Sequence, residues 1–566
     1  MDMQLGLWTL DSGAMDDGTW YPPIEPSNFD LILIGTGLPE SIVAAAASAA
    51  GKSVLHLDPN PFYGSHHASL PLHDFTSFLC SHSNLPSAPP PPPPAPQHND
   101  ESDFHLAPLC ARQLYSSVDV SVHSPEPLEH SGKFNIDLAG PRVFLCADAM
   151  IDLILETGIN QYIEFKSVDG SFICDGNGNL DAVPDSRSAI FKDRTLGFTE
   201  KNKLMRFFKL VQGHFGDDDT EGNRISEEDL ESPFYKFLSR MDLSSKLKSI
   251  ILHAIALEAY DQENVESYKV LKTRDGINRL ALYHSSVGRF PNAPGAMIYP
   301  IYGQGELSQA FCRRAAVKGC IYVLRMPVNF LLRDKESGNY KGVKLASGQE
   351  LFSDNLVLGP SFAIPLDPVE SSAQVLQGIS FDLNRKDVVK EKLVKGICIA
   401  KCSLKVDVSN CLVFFPPRSL HPEQMSSVRV FQLSSNVAIC PSGMFVTYLS
   451  VICEDSVQGK KLLEAAINAL FSVPISDNSE NNHPNAKPAI LWNALYTQEL
   501  TEEESFGSII SVSTPDGNLH YNDILAASRK IFEKLYPGKE FLPKATSPEE
   551  NVSSTAEGDD DKSIGT

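Results

Sequence analysis

An α/β fold built on a dinucleotide-binding unit, with a smaller helical domain inserted into it, is what three observations predict. Leu31-Ile32-Leu33-Ile34 is short and wholly apolar, as a strand covered on both faces of a parallel sheet must be. A glycine turn, an alanine-rich segment and a second apolar run ending in an acid follow at once. From about Cys146 to Ser285 the apolar spacing becomes helical, before strand-like runs return. With 566 residues there is room for roughly two to four domains at about 150 residues each.

The elements follow in order. Gly35-Thr36-Gly37 turns the chain into a helix over Ser41 to Ala50, Gly51 ends it, and Ser53 to Leu57 forms a second strand closed by Asp58. The unbroken prolines Pro89 to Pro94, among Ser, His, Asn and Asp, are stiff and have little to bury, so about 80–130 reads as an exposed insertion. Lys203 to Phe215, Leu243 to Leu257 and Gly276 to His284 carry apolar residues at helical spacing. Strands are expected at Cys320 to Leu324, Gly342 to Leu345, Leu356 to Leu358, Ile397 to Val406 and Val446 to Ile452. Helices are expected at Gln458 to Phe471 and Ile524 to Tyr536, and Thr546 to Thr566 reads as a disordered acidic tail. The implied organisation is an N-terminal extension (1–27), a first part of the large domain (28–145), a mainly helical domain (146–288) and a second part of the large domain (289–545).

Composition removes several function classes. Lys and Arg number 48 against 71 Asp and Glu, a net charge of −23, which argues against nucleic acid as a partner. Eleven cysteines without a CxxC pair argue against a disulfide framework or zinc ribbon as the organising principle. Met1 to Asp17 has no apolar stretch after positive charge, and no run of about 18 apolar residues occurs, so a cytoplasmic chain is expected.

Several motifs resemble chemistry without supporting it. The dinucleotide fingerprint G-x-G-x-x-G/A needs a small third residue beside the pyrophosphate, and here that position is Glu40. A carboxylate suits a helix N-terminus but opposes a bound pyrophosphate, so no cofactor is expected. Gly51-Lys52-Ser53 imitates the end of a P-loop, but it follows a helix and lacks the first glycine. His56, His66, His67, His73, His82, His98 and His105 have no metal-site spacing and read as solvated loop histidines. Cys398 and Cys402 read as small buried residues on one strand face. No nucleophile–base constellation stands out, so no catalytic residue is expected.

Ile298 to Arg314 is different. A helix entered after Gly305 places Glu306, Gln309 and Arg313 at i, i+3 and i+7 on one polar face, with Phe311 as a core anchor on another. Beside Tyr299 and Tyr302 such a face can bind a protein, or simply be solvated; spacing alone does not separate the two.

Phe29-Asp30-Leu31-Ile32-Leu33-Ile34-Gly35-Thr36-Gly37-Leu38-Pro39-Glu40-Ser41 resembles the opening of the family uniting Rab GDP-dissociation inhibitors and Rab escort proteins. Gly51 to Asp58 with Phe62-Tyr63-Gly64, Phe165 to Phe172, and Tyr299 to Arg313 are similar to its later signatures, in the family's order. The resemblance implies a flavoprotein-like fold that works without flavin, and a non-catalytic protein that binds GDP-bound Rab GTPases. By motif, Tyr63, Glu306, Gln309 and Arg313 match the Rab-binding platform, with Arg289 and Tyr302 as further members. The insertion and Gly303-Gln304-Gly305-Glu306 resemble the escort branch, which presents unprenylated Rabs to the Rab geranylgeranyltransferase heterodimer and accompanies the lipidated product to membranes. In that branch Tyr283 aligns with an aromatic contact to the transferase. The geranylgeranyl chain is expected between helices of the inserted domain, at Ile251, Ala254 and Ile255 in the very apolar Ser249 to Leu257. Gly64-Ser65 departs from the family's paired glycines, so the loop beside Tyr63 is expected to be shaped differently. The alternatives are a dissociation inhibitor that recycles prenylated Rabs and, in another class, a flavin-dependent oxidoreductase.

Overall fold

The computed structural model describes residues 21–83, 104–124, 128, 131–184, 187–215, 224–263, 269–363, 391–472 and 487–545. The proline run, most of the N-terminal extension, His98 and the acidic tail lie outside the described residues. Strand Asn28–Ile34 leads into helix Leu38–Ala49 and back to strand Val54–Asp58, paired in parallel with the first. Gly51 closes the helix with φ +77°, a left-handed conformation that costs a side-chain-free residue least.

This unit sits inside a nine-stranded sheet. The described order is Ile321–Leu324, Val54–Asp58, Asn28–Ile34, Glu350–Leu358, Tyr340–Leu345, Val328–Asp334 and Phe104–Pro108, with Ile509–Ser511 beside Glu350–Leu358 and Glu504–Phe506 outside it. An eight-stranded sheet forms a second layer, ordered Leu180–Ala182, Gly170–Cys174, Cys411–Phe415, Val428–Ser434, Phe445–Cys453, Lys392–Ala400, Ile490–Glu499 and Tyr115–Val122. One core cluster packs the first helix against helices Gly305–Val317 and Asn522–Leu535. A larger one joins the second sheet to the helices between Phe198 and Ser286. Among the described residues, no helix is long and apolar enough to cross a membrane.

Several expectations are refined. Within 80–130, the described residues include two sheet strands: Phe104–Pro108 pairs with Val328–Asp334, and Tyr115–Val122 pairs with Ile490–Glu499. Both are edge strands, and Tyr115–Val122 has one polar face, which removes its apolar signal. The stretch 146–288 is mainly helical but also carries strands, of which Gly170–Cys174 pairs in parallel with Cys411–Phe415 and so belongs to the second sheet. The strand expected over Ile397 to Val406 ends at Ala400, leaving Cys398 buried and Cys402 exposed in the following turn. His56, His66 and His67 are buried, not solvated.

Candidate protein-binding surface

Helix Gly305–Val317 divides as its spacing requires. Leu307, Ala310, Phe311 and Ala315 face the core, while Gln309 and Arg313 are exposed and Glu306 is half-buried beside them. Gln309 Nε2 donates to Glu306 Oε1 at 3.2 Å. Burial raises the Glu306 carboxyl above its ordinary range, and the Gln309 hydrogen bond opposes that shift. The Arg313 guanidinium lies 4.8 Å from the centre of the Tyr162 ring, a cation–π seat that fixes its pose at the surface.

Tyr63 lies against strand Ile321–Leu324, which follows the same helix. Its ring meets Tyr322 edge-on at 5.7 Å, and its hydroxyl is pushed up by burial beside Cys312 and Cys320. The loop after it carries the departure from paired glycines: Ser65 adopts φ +44° next to Gly64 at φ +103°. The serine is retained in this strained conformation because its Oγ accepts from Thr36 N at 2.9 Å and donates to Asp58 Oδ2 at 2.7 Å. Tyr302 stands 57% exposed just before the helix, also left-handed at φ +73°. Its N–H donates to Val437 O at 2.9 Å, and Asn135 Nδ2 donates to its carbonyl.

The remaining expected residues lie elsewhere. Arg289 donates to Cys146 O at 2.8 Å and pairs with Asp152, so its contacts tie it to helix Ala149–Glu156 rather than to the platform helix. Tyr283 lies with Gly276, Ile277 and Leu280 on the inner face of helix Thr273–Ser286 and is 6% exposed. The i, i+3/i+4, i+7 spacing of those residues is the signal that places it inside. Ile251, Ala254 and Ile255 are buried in a π-helical turn, Ile250–Ile255, instead of a regular helix. Single π-turns often mark functional positions. Sequence reasoning missed Tyr162, Asn135, Ser69 and Asp137, which hold the platform from beneath; the last two lie on strands of two residues, too short for any periodicity.

The dinucleotide crevice is closed from within. Glu40 is fully buried, and its two oxygens have no hydrogen-bond partner beyond its own backbone. A Cβ built on Gly37 would meet Glu40 Oε2 at 2.5 Å, and one on Gly359 would meet Oε1 at 3.0 Å, so the carboxyl fills the space that close backbone approach leaves. Burial pushes its pKa up to about 8, with the Asp58 charge adding to the shift. Asp58, where a ribose would be held, is itself buried and accepts from Thr36 N at 2.7 Å, Thr36 Oγ1 at 2.6 Å and Asn60 N at 2.8 Å. These residues do not fit a flavin or nicotinamide dinucleotide.

Fold and site together define a dinucleotide-type α/β scaffold that has turned its phosphate turn inward and presents a polar helix face outward. The sequence profile described as GDP dissociation inhibitor matches residues 25–87 and 98–483, and the chain belongs to that family. It is 54% identical over 545 residues to Rab escort protein 1 of Arabidopsis thaliana, covering 94% of this chain and 97% of that one. A Drosophila melanogaster protein named Rab proteins geranylgeranyltransferase component A is 29% identical, covering 93% of this chain and 92% of its own. The solved structure of a RAB GDI from Plasmodium falciparum superposes with a TM-score of 0.63 at 19% identity, covering 92% of this chain and all 100% of that one. An oxidoreductase from Methanosarcina mazei shares the fold with a TM-score of 0.51 at 12% identity.

Proposed function

We propose that this chain is a Rab escort protein. It binds GDP-bound, unprenylated Rab GTPases, presents them to the Rab geranylgeranyltransferase heterodimer and accompanies the prenylated product to membranes. The observation that carries the reading is the relative named Rab escort protein 1, matched along almost its whole length at 54% identity. The exposed Gln309 and Arg313 with half-buried Glu306, flanked by Tyr63 and Tyr302, supply the surface on which a GTPase would dock. Aromatic and Arg residues held in fixed poses are the groups that dominate such interfaces. Arg289 joins this surface only if the bound Rab extends toward helix Ala149–Glu156.

In this reading the protein supplies binding, and the bond-making step belongs to the transferase. The prenyl chain is accommodated around the π-turn Ile250–Ile255, whose residues are all buried and of which Ala254 is the smallest, and where burial contributes about 0.8 kcal/mol per methylene. Ala254→Phe then weakens geranylgeranylated Rab more than unprenylated Rab. Equal losses would mark general misfolding.

The decisive experiment mixes the purified chain, a Rab and geranylgeranyl diphosphate, with and without the separate heterodimer. Prenyl transfer is expected only when both are present. Extraction of prenylated Rabs from membranes without stimulated transfer would establish the dissociation-inhibitor reading instead. Arg313→Glu should weaken Rab binding by about 1.5–3 kcal/mol without unfolding, since a polar surface face contributes little to the core.

A further inference from the structure

The bend that launches the platform helix is built over a buried carboxylate. Tyr302 and Gly303 are both left-handed, at φ +73° and +104°. Asp137, 1% exposed, sits directly beneath. Its Oδ1 accepts from Gln304 N at 3.0 Å and from Ser69 Oγ at 2.6 Å, and its Oδ2 accepts from the Tyr299 hydroxyl. Ser69 Oγ in turn accepts from Gly305 N at 2.8 Å, so two N–H groups at the helix start are bound through this one acid. Asp137 N donates to Tyr448 OH at 3.1 Å, which anchors the acid to the second sheet. Contact is close enough that a Cβ on Gly303 would lie 2.5 Å from Ser69 Oγ and 2.8 Å from Asp137 Oδ1.

The same two-residue ladder, Ser69–Leu70 against Ile136–Asp137, continues the chain that carries Tyr63 and carries Asn135 under the Tyr302 carbonyl. Both halves of the proposed Rab surface are thus referenced to one buried group that no Rab would touch. We propose that Asp137 is a positioning residue for Rab binding, acting through Ser69 and the Gln304–Gly305 amides to set the pose of Glu306, Gln309 and Arg313 against Tyr63 and Tyr302. The inference rests on the function proposed above. A surface that recognises a folded GTPase by several polar contacts loses affinity when the pose shifts, although every contact residue is still present.

The test uses the full-length chain as wild type, Asp137→Asn, Ser69→Ala, and each variant combined with Gln309→Ala. Binding of GDP-loaded Rab and hydrogen exchange are both measured. Asp137→Asn, which keeps the shape but not the full acceptor set, is expected to weaken Rab binding about tenfold, in the range of one lost charge-assisted hydrogen bond. Ser69→Ala, milder and only half-buried, should follow in the same direction. Exchange should accelerate at the Gln304 and Gly305 amides while strand Phe445–Cys453 stays protected. Gln309→Ala should cost less in either background than in wild type, because a misplaced Gln309 has little left to lose. Wild-type affinity in both variants, or strictly additive losses with no local change in exchange, would overturn the inference alone. A wild-type chain that binds no Rab would overturn the proposed function and this inference with it.

Discussion

The chain leads into two of its helices through the same local device, and the two turns have opposite fates. Gly35-Thr36-Gly37 leads from a strand into Leu38–Ala49, and Gly303-Gln304-Gly305 leads from strand Met297–Pro300 into Gly305–Val317. Each turn is stitched by a buried aspartate through a serine of one short stretch. Asp58 works with Ser65 at the first turn, and Asp137 with Ser69 at the second. The two helices pack together, with Ser41 Oγ 3.2 Å from Cys312 Sγ. What differs is burial. Leu38 to Ser48 are buried throughout, so the first turn can only face the interior, where Glu40 fills it; the second helix keeps an exposed face. A glycine turn before a helix therefore specifies backbone geometry, and tertiary packing decides whether that geometry serves the core or a partner.

The largest way to break the parallel is to remove its first stitch. Asp58→Ala strands the donors on Thr36, Ser65 and Asn60 inside the protein. It should cost about 3–4 kcal/mol of stability in urea unfolding. A cost under about 1 kcal/mol would show that the first turn holds itself.

A second break concerns pH. Glu40 has its folded pKa raised to about 8 from 4.5, so the folded state binds the proton more tightly than the unfolded chain. Its favourable contribution is complete below pH 4.5 and is lost as pH rises through 8. The expected loss is on the order of 5 kcal/mol across that window, and Glu40→Gln should flatten it. Lys395 runs the other way. Burial lowers its pKa from 10.5 to about 7, so its contribution is complete above 10.5 and lost as pH falls through 7. Unfolding curves from pH 5 to 10 on wild type, Glu40→Gln and Lys395→Met separate the two slopes.

A third sharpens the comparison between the turns themselves. Gly303→Ala must place a methyl at φ +104° against Ser69 and Asp137, and should cost about 2 kcal/mol. Gly37→Ala has an ordinary φ of −59° and meets only the end of the Glu40 side chain, which can move; it should cost about 1 kcal/mol or less. Equal costs in thermal unfolding would mean that the two turns are held alike.

Legibility in the sequence follows from element length. The first βαβ unit is readable because each piece carries its own signal: an apolar run, an alanine helix and a closing acid. The outward face of the platform helix is readable from the spacing of Glu306, Gln309 and Arg313. Edge strands such as Tyr115–Val122 are not, since half of their residues face water and they sit beside a proline run. Asp137 and Ser69 are invisible for a stronger reason: they lie on two-residue strands more than sixty positions apart, and only the fold brings them together. Glu40 is legible as a misfit to the dinucleotide fingerprint, but its protonation depends on burial that no local pattern reports. The family resemblance puts Tyr283 on a contact surface, whereas its own helical spacing puts it inside.

The smallest expected effect bears on the outward turn alone. Arg313 is exposed, so its charge is screened and a simple loss of charge elsewhere on this face would be modest. Its particular asset is pose: the planar guanidinium lies over Tyr162, which a lysine ammonium cannot match in the same way. Arg313→Lys keeps the charge and should weaken Rab binding by only about 0.5–1 kcal/mol, or roughly threefold, with stability unchanged. Tyr162→Leu should produce the same loss from the other side of the contact. In the double variant the two losses should not add, because each removes the same seat. If Arg313→Lys binds as wild type while Arg313→Glu does not, charge alone is read at this position. The second turn would then need to deliver only a positive group, not an oriented one.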